Sequence, residues 1–263
     1  MIKLIASDID GTLLPEGTDL INPEIFDYIK KLKKKGITFV AASGRHRTSM
    51  ERLFGPVRDD IFMITENGAY VCQGDRDILE CNIDREYVRE WVMQMRQIPD
   101  TSFNLDTKDE FFTESRDGEF IRLIRDGYKS RLIVLDDATE IIDSRNFIKM
   151  AAYSKNDLKT VHDILVPAWK DRLHCTVAGD IWVDFMKTGT DKGAALKTIQ
   201  ESLGISPLET MAFGDNQNDI EMLNRAAFSY AVGNAKPEVV AAAKYMTDSN
   251  VNDGVLKVLR TLV

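Results

Sequence analysis

Asp8 and Asp10 stand two residues apart at the end of an apolar run, Ile2, Leu4 and Ile5, that reads as a short buried strand. A strand alternates sides with period two, so both carboxylates leave the backbone on roughly the same side. Two like charges that close destabilise each other unless a positive group sits between them. Gly11 lets the chain turn tightly behind them and approach a ligand. Asp and Gly are also ordinary turn residues, so the pair carries weight only if the rest of the chain supplies matching parts. It does so at Gly214-Asp215-Asn216-Gln217-Asn218-Asp219, a second acidic cluster that follows the strand-like Met211-Ala212-Phe213. Carboxylates converging without histidine or thiolate suit a hard cation, and magnesium fits best because it keeps waters or phosphate oxygens in its shell. Lys192 falls in the first turn of a helix, where a cation opposes the helix dipole. A phosphate held at that end would explain the choice. Ser43 with Gly44 adds a hydroxyl and a backbone N–H at a strand-to-helix turn.

Bulk properties narrow the alternatives. The chain has 263 residues, 44% hydrophobic and 29% charged, which suits one large domain or two modest ones with ample core. A net charge of −8 argues against non-specific nucleic-acid binding. It leaves room for a local basic pocket that takes an anionic small molecule. Apolar runs are too short to span a membrane and the N-terminus has no signal-peptide pattern, so no membrane partner and a cytoplasmic location are expected. The three cysteines, Cys72, Cys81 and Cys175, lack metal-ligand spacing and read as buried thiols. The three histidines, His46, His162 and His174, are scattered, which leaves zinc and Ser-His-Asp chemistry poor candidates.

The elements that must position these residues alternate strand and helix at both ends of the chain. Asn22-Pro23 starts a helix carrying Ile25, Ile29 and Leu32, with a solvated lysine face (Lys30, Lys31, Lys33 to Lys35), and Ile37 to Ala42 follows as a second buried strand. Strand, helix, strand at this length is a parallel βαβ unit. A third strand, Ile61 to Ile64, leads into Thr65-Glu66-Asn67-Gly68-Ala69, and a small hairpin follows near residues 70–81. Asp8, Ser43 and Asn67 thus fall at carboxyl ends of strands, where open parallel sheets bind ligands. From 83 to 186 the pattern changes to an α+β block with antiparallel character, including a strand from Phe147 to Tyr153 and a hairpin at 173–185. Its basic groups Arg116, Arg122, Lys129 and Arg131 read as surface residues. After 187 the alternation resumes: a helix from Asp191 to Leu203 with Ala195, Leu196, Ile199 and Leu203 inward, stopped by Gly204, and then further strands and helices. The fold class is α/β, a doubly wound parallel sheet formed by 1–82 and 187–263 and interrupted by an inserted domain at 83–186.

Taken in order, these parts resemble the haloacid dehalogenase superfamily of phosphohydrolases. Asp8-Ile9-Asp10-Gly11-Thr12 is similar to its first motif, Ser43-Gly44-Arg45 to its second, Lys192 to its third, and the 214–219 stretch to its fourth. The insert lies where the type IIB cap of the Cof-like sugar-phosphatase branch would lie, and Thr65 to Ala69 looks like that branch's Asn-Gly stretch. The resemblance implies an aspartyl-phosphate mechanism. Asp8 would attack phosphorus, and Asp10 would protonate the leaving alkoxide and then activate water. The first of those tasks needs a protonated Asp10, which the adjacent Asp8 carboxylate would favour. Mg2+ would be held by Asp8, the Asp10 backbone carbonyl and Asp215, with Asp219 in the outer shell. Ile9, Ser43, Gly44, Lys192 and Asn218 would bind the phosphoryl group, and the insert would close over it and choose the leaving group.

The expected activity is a Mg2+-dependent phosphatase of small phosphorylated metabolites, sugar phosphates foremost. A phosphohexomutase of the same fold is the alternative. A phospho-acceptor signalling domain shares the acidic cluster, but such domains are about half this length. A silent metabolite-binding protein is opposed by the intact Asp8 and Asp10. Neither the identity of the substrate nor the oligomeric state is written in the sequence.

Overall fold

The computed structural model describes residues 1–178 and 180–263. The chain divides into two compact units, Met1–Leu79 with Asp191–Val263, and Glu80–Thr190. In chain order the first run comprises β1 (Leu4–Asp8), α1 (Glu24–Lys34), β2 (Thr38–Ala42), α2 (Arg47–Leu53), β3 (Phe62–Thr65), β4 (Tyr70–Gln73) and β5 (Arg76–Glu80). The insert carries α3 (Arg85–Met95), β6 (Ser102–Asp106), β7 (Phe111–Thr113), α4 (Gly118–Arg122), β8 (Leu132–Val134), β9 (Lys149–Tyr153), α5 (Leu158–Trp169), β10 (Leu173–Ala178) and β11 (Trp182–Lys187). The chain then returns with α6 (Lys192–Leu203), β12 (Thr210–Gly214), α7 (Ile220–Asn224), β13 (Phe228–Ala231), α8 (Pro237–Ala242), β14 (Tyr245–Met246) and α9 (Gly254–Arg260).

The first unit is an eight-stranded sheet in the order β14-β13-β12-β1-β2-β3-β4-β5. It is parallel from β14 to β3, and β4 joins antiparallel. β1 lies between β12 and β2 and is buried at all five residues, as a central parallel strand must be. Leu4 and Ala6 pack with Val40, Ala42, Phe62 and Ile64 beneath Ala195, Leu196, Ile199, Met222 and Leu223. Alternation sends Ile5, Phe39, Ala41 and Met63 to the opposite face, where they are buried too. The register pairs Asp8 with Ala42 and Ser7 with Phe213, so the carboxyl ends of β1, β2 and β12 finish level. This is the doubly wound α/β architecture expected from the sequence.

The insert is a six-stranded sheet in the order β10-β11-β9-β6-β7-β8, antiparallel except for the β7–β8 pair. One face builds a core of Trp91, Phe103, Leu105, Met150, Leu165, Trp169 and Phe185 against α3 and α5. The other packs Phe111, Phe120, Ile124, Ala151, Tyr153 and Trp182. Trp91 meets Phe103 edge-on at 5.7 Å and Phe185 at 5.5 Å. Among the described residues no helix is long and apolar enough to cross a membrane.

Several local expectations need correction. β8, Leu132–Val134, is a strand for which the sequence offers no expectation. Leu203, expected inward, is 40% exposed, since it ends α6 just where Gly204 at φ +64° turns the chain away. Of the thiols only Cys72 is buried, while Cys81 and Cys175 are half-exposed. α1 begins at Glu24 rather than Pro23, with the Asn22 side chain accepting the Glu24 N–H at 3.0 Å. Trp91→Ala should destabilise the insert by about 3–5 kcal/mol, read as a lowered urea midpoint by far-UV circular dichroism.

Candidate active site

β1 ends on Asp8, whose residue is 4% exposed. Asp191 caps α6 by accepting the Ala194 N–H at 2.7 Å, which fixes Lys192 as the first helical residue. The Lys192 ammonium, 1% exposed, donates to Asp8 Oδ1 at 2.6 Å and to Asp219 Oδ1 at 2.7 Å. Asp219 is held in turn by the N–H groups of Asp215 and Asn216, which donate to its Oδ2 at 2.9 and 3.1 Å. Thr12 donates to Asp215 Oδ1 at 3.0 Å. One carboxylate oxygen from each of Asp8, Asp215 and Asp219 lies within 4.8 Å of the others.

The electrostatics follow from this crowding. Burial, and then Asp219, hold the Asp8 carboxyl well above the usual carboxylate range against the opposing pull of Lys192. Burial and Asp219 raise Asp215 as well. Burial pulls Lys192 down, but Asp219 and Asp8 outweigh it and leave its pKa raised. Three carboxylates thus crowd one ammonium, which bonds two of them, Asp8 and Asp219. Asp8 Oδ2 is buried without a hydrogen-bond partner. Gly11, at φ +83°, leaves the space beside Asp215 open, and a Cβ there would collide with that carboxylate. An all-oxygen donor set, an orphaned buried carboxylate oxygen and a surplus of negative charge fit a hard divalent cation.

A second group lies around Asp10. Arg45 reaches it with a fork, Nη2 to Oδ1 at 2.7 Å and Nε to Oδ2 at 2.9 Å, and Ser43 Oγ donates to Oδ2 at 3.3 Å. Ser43 Oγ also accepts the Arg45 N–H at 3.0 Å. Asp10 and Ser43 therefore bond to each other and to Arg45, not to the Lys192 cluster. The group that faces the Asp10 carboxylate is the Arg45 guanidinium. The sequence assigns no role to Arg45; a cation close after the end of β2 is the one signal it carries.

A third group joins the strand ends. Glu66 and Asn67 adopt φ +47° and +51°, a left-handed conformation unusual for residues with side chains. That turn lets the Glu66 and Asn67 N–H groups donate to the carbonyls of Arg45 and Ser43, both at 3.1 Å. Asn67 Oδ1 accepts from Asn218 Nδ2 at 2.9 Å, and its amide crowds Gly44. Asn67 is a contributor that sequence reasoning placed at the edge without a partner. Ile9 is buried, and its carbonyl accepts from Thr12, Leu13 and Leu14, closing the turn behind the two aspartates.

A family model described as haloacid dehalogenase-like hydrolase matches residues 5–259. The chain belongs to that family. It is 30% identical to a 5-amino-6-(5-phospho-D-ribitylamino)uracil phosphatase of Escherichia coli, over 98% of this chain and 95% of that protein. It is 28% identical to an HMP-PP phosphatase of Escherichia coli, over 94% of this chain and 89% of the relative. A solved structure from Eubacterium rectale superimposes with TM-score 0.94 at 36% identity, covering 100% of this chain and 99% of that one. TM0651 from Thermotoga maritima gives TM-score 0.90 at 24% identity, over 100% and 98% of the two chains, which shows the fold alone. This haloacid dehalogenase-like hydrolase is a phosphatase of small phosphorylated compounds, as its motifs led us to expect. Lys192→Met, which leaves Asp8 and Asp219 buried without their cation, should cost about 3–5 kcal/mol of stability, measured by chemical unfolding.

Proposed function

We propose that this enzyme is a Mg2+-dependent, cytoplasmic phosphatase of sugar phosphates and related polyol phosphates, acting through an aspartyl-phosphate on Asp8. The observation that carries the reading is the buried cluster at the end of β1, where Lys192 binds one oxygen of Asp8 and leaves the other without a partner. Asp8, the backbone carbonyl of Asp10 and Asp215 would hold Mg2+, with Asp219 behind them already engaged by Lys192 and two backbone N–H groups. When bound, the ion supplies charge neutralisation for the phosphoryl oxygens and the carboxylates.

The chain's own residues then divide the work. Asp8 attacks phosphorus, and splitting one displacement into two lowers each barrier. Lys192 compensates the charge of the nucleophile and of the incoming phosphoryl group in a site that excludes water. Ser43, the Gly44 backbone, Ile9 and Asn218 orient the phosphoryl oxygens, with Asn67 steadying Asn218. Asp10 gives a proton to the leaving alkoxide and takes one from the attacking water. The inserted domain, 83–186, is assigned the choice of leaving group. A relative whose substrate carries its phosphate on a ribityl chain supports the sugar-phosphate class.

Asp8→Asn should abolish phosphate release from 4-nitrophenyl phosphate while leaving the circular dichroism spectrum unchanged. Substantial residual turnover would sink the nucleophile assignment. Chelation of divalent cations should remove activity and Mg2+ should restore it; full activity in excess chelator would refute the metal requirement. Among a panel of phosphorylated metabolites, sugar and polyol phosphates should give the highest kcat/KM.

A further inference from the structure

Resting on the reading of Asp10 as acid and base, we propose that Arg45 is the positioning residue that sets Asp10 for its second task, activation of the water that hydrolyses the Asp8 acyl phosphate. The contacts go beyond a surface ion pair. Arg45 Nε lies 3.2 Å from Asp10 Oδ1 and 2.9 Å from Oδ2, and Nη2 lies 2.7 Å from Oδ1. The far side of the guanidinium is also anchored, Nη2 to the Thr18 carbonyl at 2.6 Å and Nη1 to Asp19 Oδ1 at 2.5 Å. All three guanidinium nitrogens are engaged, and the Arg45 side chain is only 18% exposed. Its backbone N–H donates to Ser43 Oγ, and its carbonyl accepts from Glu66 in the left-handed turn. Arg45 is thus tied to the 15–22 loop, to the end of β2 and to the end of β3, and it presents a planar fork to one carboxylate. A planar fork restrains the plane of a carboxylate in a way that a point charge cannot.

In the hydrolytic step the water oxygen forms a bond to phosphorus while its proton passes to Asp10. The bond from phosphorus to the Asp8 oxygen breaks, and its electron pair returns to the Asp8 carboxylate. Orthophosphate leaves, and Asp10 holds the proton that the next alkoxide will take. A base free to rotate meets that water in the wrong direction for most of its time, so orientation governs this step. Attack of Asp8 on an aryl phosphate needs no proton from Asp10, because an aryl oxide leaves unaided.

Steady-state and rapid-quench kinetics on 4-nitrophenyl phosphate with Mg2+ separate the two steps. In Arg45→Met, kcat should fall by about 10- to 100-fold. KM should fall with it, kcat/KM should stay within about threefold of wild type, and a burst of nitrophenolate should accompany a phosphoenzyme detectable by mass spectrometry. Arg45→Lys, which keeps the charge without the fork, should lie between. Asp19→Ala should show the same pattern more weakly. If Arg45→Met does not fold, Arg45→Lys carries the test, and an unchanged kcat in that variant overturns the proposal. A fall in kcat/KM equal to that in kcat, with no phosphoenzyme, also overturns it, placing Arg45 in phosphate binding or in the fold. Asp10→Asn is the control. If it accumulates phosphoenzyme and Arg45→Met does not, only the Arg45 assignment falls. If Asp10→Asn accumulates none, the acid/base reading of Asp10 falls and takes the Arg45 assignment with it.

Discussion

A buried ammonium between two buried carboxylates is the constraint on which the rest of this site depends. Lys192 touches Asp8 and Asp219 at 2.6 and 2.7 Å, and all three residues are nearly inaccessible to water. Removing three charges from water is costly, and replacing all three residues together by well-packed hydrophobic ones, unlike removing Lys192 alone, often leaves stability unchanged or raises it. Such a group is explained by chemistry, not by folding energy. Its presence dictates what surrounds it. Asp219 needs two backbone N–H donors to satisfy its second oxygen, so the chain after β12 must curl back over it. Gly214 must lack a side chain because a Cβ there would strike that carboxylate.

The same constraint explains why the strand ends must be level. Asp8 leaves a central strand, Lys192 opens a helix, and Asp219 follows the neighbouring strand. These three meet only if β1 and β12 end in register, which the Ser7–Phe213 pairing secures. The packing of Leu4, Ala6, Val40 and Ala42 against α6 holds that register, since a slip of one residue would bring the polar Ser7 and side chains of different size beneath the helix. Packing of aliphatic side chains thus sets the position of the Asp8 carboxylate.

What could be read from the sequence, and what could not, divides along the same line. Asp8, Asp10, Lys192, Asp215 and Asp219 were legible because each sits at a fixed offset from a strand end or a helix start, where periodicity and capping rules apply. Arg45 was not legible as a partner of Asp10. Its direction depends on the 15–22 loop, whose Thr18 carbonyl and Asp19 carboxylate hold the guanidinium by contacts with no local pattern. Asn67 lies at its edge as the sequence places it, and asparagine is a residue type that tolerates the left-handed region, but the same conformation at Glu66 has no signal in its residue type. The exposed Leu203 has a simpler reason, a helix end that turns away at Gly204.

Two aspartates separated by a single residue would ordinarily share an environment, and the arrangement of cations is what separates them. Asp8 faces a lysine, a compact charge that touches one oxygen and leaves the other orphaned. Asp10 faces an arginine whose fork spans both oxygens, with a serine hydroxyl beside it. A point charge stabilises a nucleophile without covering it, which leaves an oxygen for a cation or for phosphorus. A fork fixes the plane of a carboxylate, as a group exchanging protons in a set direction requires. The difference between Asp8 and Asp10, on which their proposed roles rest, lies less in the first motif itself than in which cation each carboxylate meets.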